Sequence, residues 1–288
     1  VFLWFMTRTT GGTPKARALG AELREAREAA GKSLRKLARE LGTNHVRLMR
    51  YEIGKSVPSP DFVTKVLTAL GVGAAEQDRL VEMAREAGTP NWLTADRAGV
   101  GQELSALIEF ERTATRITNV ATGLVPGLLQ TADYARAVMR GKPPGEAEKL
   151  VLMRLGRREV LASRSAPRFV AIIAENALRE PIGGYQVMAE QLRKVADLAQ
   201  WPNISVRVLR SGSTVWHPGH VGPFVLFEFA KAGPVVHLEH YRSSVFLHNP
   251  ATAEEYLRAA ADLLDMAMDE QESLRFITKC AEEMEGVR

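Results

Sequence analysis

The stretch KSLRKLARELGTNHVRLMRYEIGK, residues 32–55, constrains this chain more than any other. Ser33 offers a hydroxyl to cap the helix that follows it, and Leu34, Leu37, Ala38 and Leu41 recur at the spacing of one helical face. Gly42 ends that helix, because glycine accepts the left-handed conformation that the residue after a helix usually needs. Asn44 caps a second short helix, in which Leu48 and Tyr51 fall on one side. Two helices this short cannot bury an apolar face alone, so they need partners. The flanking sequence supplies them. Leu19, Leu23, Ala26 and Ala30 form a helical stripe that stops at Gly31. Ser59, Pro60, Asp61 and Gly71 punctuate a fourth helix as cap, first turn, dipole partner and stop. A fifth, EQDRLVEMAREAG, closes on Gly88.

With Leu48 and Tyr51 inward, the 3.6-residue period turns His45, Val46, Arg47, Met49 and Arg50 outward. A short helix braced by another across a tight turn is the arrangement that sets one helix in the DNA major groove. Arg47 and Arg50 would each present a planar fork to guanine, His45 a donor, and Val46 a methyl-sized contact to thymine. Ser33, Arg35, Asn44 and Lys55 are placed for phosphates, where they give register and salt-dependent affinity. The charge distribution agrees. Residues 1–60 hold twelve Lys and Arg against five Asp and Glu, whereas residues 100–288 hold 22 against 23. The net charge of +4 therefore arises at the N-terminal end, which suits a polyanionic partner there. A helical hairpin whose cations only keep it soluble, or dock it on an acidic protein, is the competing reading.

Residues 17–71, and above all GKSLRKLARELGTNHVRLMRYEIGKSVPS, resemble the phage repressor/Cro (XRE) class of helix-turn-helix domains. The resemblance implies that His45, Val46 and Arg50 read bases with Arg47 nearby, and that Asn44 and the turn at Gly54-Lys55 approach phosphates. Glu52 in this pattern is expected to pair with a basic side chain of the bundle, with Arg24 as the candidate. The stretches NVATGLVPGLLQTADYARAVM, LRKVADLAQWPNISVRVL and WHPGHVGPFVLFEF are similar to a C-terminal domain of poorly defined role found in actinobacterial regulators of this kind. That similarity implies a repressor-like regulator in a developmental or toxin–antitoxin-like module, with a very small protein encoded nearby as a partner.

Read on its residues, the remainder predicts an α+β domain. An amphipathic stretch runs from Glu103 to Ala121, and further helices are expected over ADYARAVM and from Glu146 to Ser163. Strand-like runs follow at 168–175, 204–210, 224–229 and 235–240, rich in β-branched and aromatic residues. The helical YQVMAEQLRKVADLAQ between the first two suits a right-handed βαβ crossover, and AKAGP between the last two suits an antiparallel hairpin. Helices at 252–268 and 270–284 end the chain. The expected architecture is a frayed extension over 1–14, a five-helix all-α bundle over 15–88, a linker over 89–101 in which Trp92 and Leu93 dock, and an α+β domain over 102–288 with a small mixed or antiparallel sheet. This domain is expected to dimerise and to hold a protein partner or a small molecule, and Leu124, Val125, Leu128 and Leu129 of the loop GLVPGLLQ are expected to be exposed and to form a partner interface.

Other chemistries find little support in the sequence. Cys280 is the only cysteine, which excludes an intrachain disulfide and fits a reducing, cytoplasmic setting. The apolar opening VFLWFM is too short to span a membrane. Four of the six histidines fall in the pairs His217/His220 and His237/His240. His217, His220 and His237 are the weak candidates for a metal, without a recognised ligand spacing, so no metal and no cofactor are expected. No phosphate loop, nucleophile elbow or metalloprotease motif occurs, so the chain is not read as an enzyme; Glu175 serves equally as an acidic helix start. The expected partners are double-stranded DNA and a second copy of the chain, and no membrane.

Overall fold

The computed structural model describes residues 14–88, 100–240 and 243–287. The chain divides into two compact units, one of residues 1–113 with 229–233 and one of residues 114–228 with 234–288. The expected extension over 1–14 and linker over 89–101 fall almost wholly outside the described residues, as do Trp92 and Leu93.

In the first unit the five expected helices are present as α1 (Pro14–Ala29), α2 (Leu34–Glu40), α3 (His45–Glu52), α4 (Pro60–Leu70) and α5 (Ala74–Gly88). Their caps are those the sequence announces. The side chains of Ser33, Asn44 and Ser59 accept hydrogen bonds from the backbone N–H of Lys36, Val46 and Phe62, and Gly71 closes α4 in the left-handed conformation with φ 72°. Leu19 and Leu23 of α1, Leu37 of α2, Leu48 and Tyr51 of α3, Val63, Val66 and Leu67 of α4, and Leu80 and Ala84 of α5 form one buried core. No local pattern signals the closeness of α1 and α3. A Cβ on Gly20 would lie 2.3 Å from the carbonyl oxygen of Tyr51 and 2.6 Å from that of Glu52, so α1 crosses the last turn of α3 backbone to backbone. A sixth helix, α6 (Val100–Thr113), also belongs to this unit.

The second unit is built on a six-stranded mixed sheet of order β3-β2-β1-β4-β5-β6. The strands are β1 (Arg116–Ala121), β2 (Arg168–Ala174), β3 (Ile204–Leu209), β4 (Phe224–Glu228), β5 (Val235–Glu239) and β6 (Ser244–Leu247). β1, β2 and β3 run parallel, and β1/β4, β4/β5 and β5/β6 are antiparallel. Between them lie α7 (Ala132–Val138), α8 (Pro144–Arg157), α9 (Glu175–Arg179) and α10 (Tyr185–Leu198), and after them α11 (Pro250–Met266) and α12 (Glu270–Glu285). Helices cover both faces, as a sheet with a parallel half requires. Val120, Val170, Ile172, Leu226 and Val236 pack with Ala253, Ala260 and Leu263 of α11. On the other face Phe169, Ala171, Ile173 and Val208 are buried, α10 packs on α12, and α12 packs on β3.

Three expectations need correction. The amphipathic stretch from Glu103 to Ala121 is not continuous, because the helix ends at Thr113 and RITNVA becomes β1, the inner strand between β2 and β4. Its β-branched Ile117, Thr118 and Val120 are all buried, and a six-residue strand buried on both faces shows no alternation to betray it. Strand β6, Ser244–Leu247, lies outside the four expected strand runs. The loop GLVPGLLQ is not an exposed apolar patch: Val125, Leu128 and Leu129 are buried, and only Leu124 is exposed, at 43%.

The loop is held inward by buried amides. Gln191 of α10 accepts from the Thr131 N–H at 2.7 Å and donates to the Leu129 carbonyl at 2.9 Å. Gln130 donates to the Val125 carbonyl at 2.7 Å and accepts from Arg154 at 2.7 Å. The phenol oxygen of Tyr134 accepts from the Val125 N–H at 3.2 Å. With its backbone satisfied internally, the loop can bury its leucines in its own domain.

Because α1 and α3 touch through Gly20, Gly20→Ala should lower the unfolding free energy of the helical unit by about 2 kcal/mol, the usual scale of overpacking. Urea denaturation followed by circular dichroism would measure it. Gly145→Ala, where an added Cβ meets nothing within 4 Å, should cause no loss.

Candidate nucleic-acid interface

Helix α3 is fixed along one side and bare along the other. Leu48 and Tyr51 anchor it in the core, while His45, Val46, Arg47, Met49 and Arg50 are exposed. Its last residue, Glu52, turns inward to a two-pronged ion pair with Arg27 of α1, Nε to Oε1 at 2.6 Å and Nη2 to Oε2 at 2.8 Å. Arg27 also donates to the Lys32 carbonyl at 2.9 Å, so one guanidinium ties the end of α3, α1 and the turn before α2 together. The hydrogen bonds to Glu52 raise the Arg27 pKa above its ordinary value. This corrects the expected partner of Glu52: Arg24 instead pairs with Glu28 at 2.8 Å along the exposed side of α1. Both basic residues lie on α1 one turn apart, and periodicity alone does not tell which faces α3.

After α3 the chain turns at Gly54, whose φ is 70° and whose missing Cβ leaves room for the Arg17 backbone, 2.7 Å from where that atom would stand. The Lys55 N–H donates to the Arg50 carbonyl at 2.8 Å, which presents the exposed Lys55 side chain beside the end of α3. Arg35, Lys36 and Arg39 of α2 are exposed as well.

Among the residues expected to read bases, His45, Val46 and Arg50 share the exposed side of α3, and Arg47 is set apart from them. Its Nε donates to the Tyr51 phenol oxygen at 2.7 Å, and its guanidinium lies 5.6 Å from the Tyr51 ring and 5.2 Å from that of Phe62 in α4. Arg47 is thus laid along the flank of α3, with its Nε engaged by Tyr51. Of the residues expected at phosphates, Arg35 and Lys55 are exposed cations, whereas the oxygens of Ser33 and Asn44 serve as helix caps, at 3.2 Å and 2.8 Å from their donors. The amide nitrogen of Asn44 takes no part in its cap and is the group able to donate to a phosphate. Met49 and Ile53 were absent from the expected contact set. Both stand with Val46 on the exposed side, at 41%, 50% and 44%, and the spacing 46, 49, 53 was the signal available in the sequence.

The weak metal candidates are not brought together as a ligand set. His217 and His220 stack on each other with ring centroids 3.7 Å apart, and the His217 N–H donates to Nδ1 of His220 at 3.1 Å. Burial, aided by the neighbouring His220, lowers the His217 pKa. His237 lies in β5 with its ring stacked 4.5 Å from that of Phe246 in β6. Among the described residues no group of three or more His, Cys, Asp and Glu is placed to hold a metal ion. Among them, too, no helix is long and apolar enough to cross a membrane.

Comparison with known families agrees with this geometry. Residues 18–80 match the family model described as "Helix-turn-helix domain", which supports a DNA-binding regulator of the helix-turn-helix class. Residues 104–279, more than half of the chain, match the model described as "Domain of unknown function (DUF5753)", and the chain belongs to that family. No curated protein and no solved structure matches it.

Since Arg47 is held by two rings and a phenol, Arg47→Ala should reduce the stability of the helical unit by about 1 kcal/mol, the scale of an exposed cation–π contact plus a hydrogen bond. The ratio of affinities for a cognate and a random duplex should stay within about twofold, because this side chain lies apart from the strip of Val46, Met49 and Arg50. Denaturation and a parallel gel-retardation titration would check the two parts.

Proposed function

We propose that the chain is a sequence-specific transcriptional regulator that places α3 in the major groove of DNA. The observation that carries this reading is the bare side of α3, fixed from behind by Leu48, Tyr51 and the Arg27–Glu52 pair, in a unit that also exposes Arg35, Lys36 and Arg39 on α2 and Lys55 just after α3. Arg50 reads a guanine through its two-pronged fork, His45 and Val46 meet neighbouring base edges, and Arg35, Lys55 and the Asn44 amide contact phosphates. Ser33 contributes mainly as a cap.

The chain works as a homodimer, with half-sites about one helical turn, ~34 Å, apart. The C-terminal domain binds a protein or ligand instead of catalysing a reaction. Support for binding comes from the segment after β3, where Val215, Trp216 and Val221 are exposed together. Support against catalysis comes from Glu175, whose carboxylate accepts from Arg179 at 2.7 Å and from the Ser211 N–H at 3.2 Å. The Arg179 hydrogen bond lowers its pKa, so it stays an ionised structural group at the start of α9.

Gel retardation on a site selected from random duplexes tests the reading. Arg50→Ala should cost about 1–3 kcal/mol at the selected site and little on random DNA. Lys55→Ala should weaken both and reduce the salt slope by about one. Equal effects of the two substitutions on selected and random duplexes would contradict the assignment of roles.

A further inference from the structure

The bare side of α3 is apolar down its middle. At about 100° per residue, Arg50, Ile53 and Met49 stand roughly 40°, 20° and 60° from Val46, so all four share one strip. Three of them are hydrocarbon or thioether side chains left 41–50% exposed. The strip contains no acid, since Glu52, the only one in α3, is turned inward to Arg27. Arg47, which would otherwise have brought a second charge to the groove, is folded back on Tyr51 and Phe62. An apolar strip on a unit that also exposes Arg35, Lys36, Arg39 and Lys55 matches one chemical surface well. Major-groove edges carry a single kind of apolar group, the C5-methyl of thymine, and phosphates line both rims.

We propose that Val46 and Met49 read thymine C5-methyl groups, so that the site this chain prefers is set by methyl-bearing bases beside the guanine taken by Arg50. This rests on the DNA-binding function proposed above. The first residues of such a helix reach deepest into the groove, which puts Val46 and Met49 at base edges and leaves Ile53 toward the rim. At 1.5 Å rise per residue, Val46 and Met49 are about 4.5 Å apart along α3, close to one base-pair step, so the two methyl groups belong to adjacent or next-adjacent pairs.

The test uses the full chain and a duplex selected from a random pool, in which each thymine is replaced singly by deoxyuridine. Only a methyl group is lost. At one or two positions in each half-site, deoxyuridine should weaken binding about 3–10-fold, the scale of one buried methyl. Val46→Ala and Met49→Ala should each abolish the difference between thymine and uracil at one of those positions, and Arg50→Ala should keep it. Both side chains are exposed, so circular dichroism should show the variants folded.

If the selected duplex is bound and discriminated but every thymine tolerates uracil, this inference falls and the DNA-binding function stands. If the methyl effect survives in both alanine variants, the readers are misassigned and the inference falls equally. If no duplex is retained, the inference and the function fall together. If the alanine variants bind the selected duplex unchanged, the inference is overturned.

Discussion

The contact on which the rest depends is the backing of α3. Two buried side chains, Leu48 and Tyr51, hold its middle, and the Arg27–Glu52 pair, with both side chains about nine-tenths buried, holds its end. A buried ion pair adds little net stability over an apolar pair, but breaking it leaves a costly lone charge, so it enforces one arrangement. Here that arrangement is the position of α3 relative to α1 and the α1–α2 turn. The contact through Gly20 brings the two helix backbones close enough for the Arg27 side chain to meet Glu52 in a two-pronged geometry. Preorganisation of this kind spares the ordering cost when a ligand binds.

The exposed side follows from the same fixing. Once Leu48, Tyr51 and Glu52 are turned inward, the 3.6-residue period leaves no choice about what faces out. With the Arg47 guanidinium drawn toward Tyr51 and Phe62, that face is less charged than its composition suggests. Exposed cations sit on α2 and after Gly54, and hydrocarbon with one guanidinium sits in the centre of the bare side of α3. In the proposed function those cations supply affinity for any duplex, and the centre supplies discrimination.

Most of the helical unit was legible in the sequence because its signals are local. Ser33, Asn44, Ser59, Gly42 and Gly71 mark helix ends by their own chemistry, and each acts at the place expected. The mixed sheet was legible in the strands with flanking turns. What escaped depends on distant neighbours. RITNVA becomes a strand because β2 and β4 flank it, and nothing within those six residues separates a buried strand from a buried helix. GLVPGLLQ is apolar in sequence and therefore looked like an interface, but Gln191, sixty residues after Thr131, satisfies its backbone and lets it bury. The choice of Arg27 over Arg24 as partner of Glu52, and the capture of Arg47 by Phe62, likewise turn on helix crossings that no local pattern encodes.

The central claim is that the bare side of α3, and no other surface, enters the groove. Methyl-resolved NMR of the full chain, with Met, Val and Ile methyl groups labelled and assigned, tests it on adding a selected duplex. The account predicts that the signals of Val46, Met49 and Ile53 shift and broaden while those of the buried Val63 and Val66 in α4 hold nearly still. Unmoved α3 signals, with the duplex bound and the shifts gathered on another face, would contradict it.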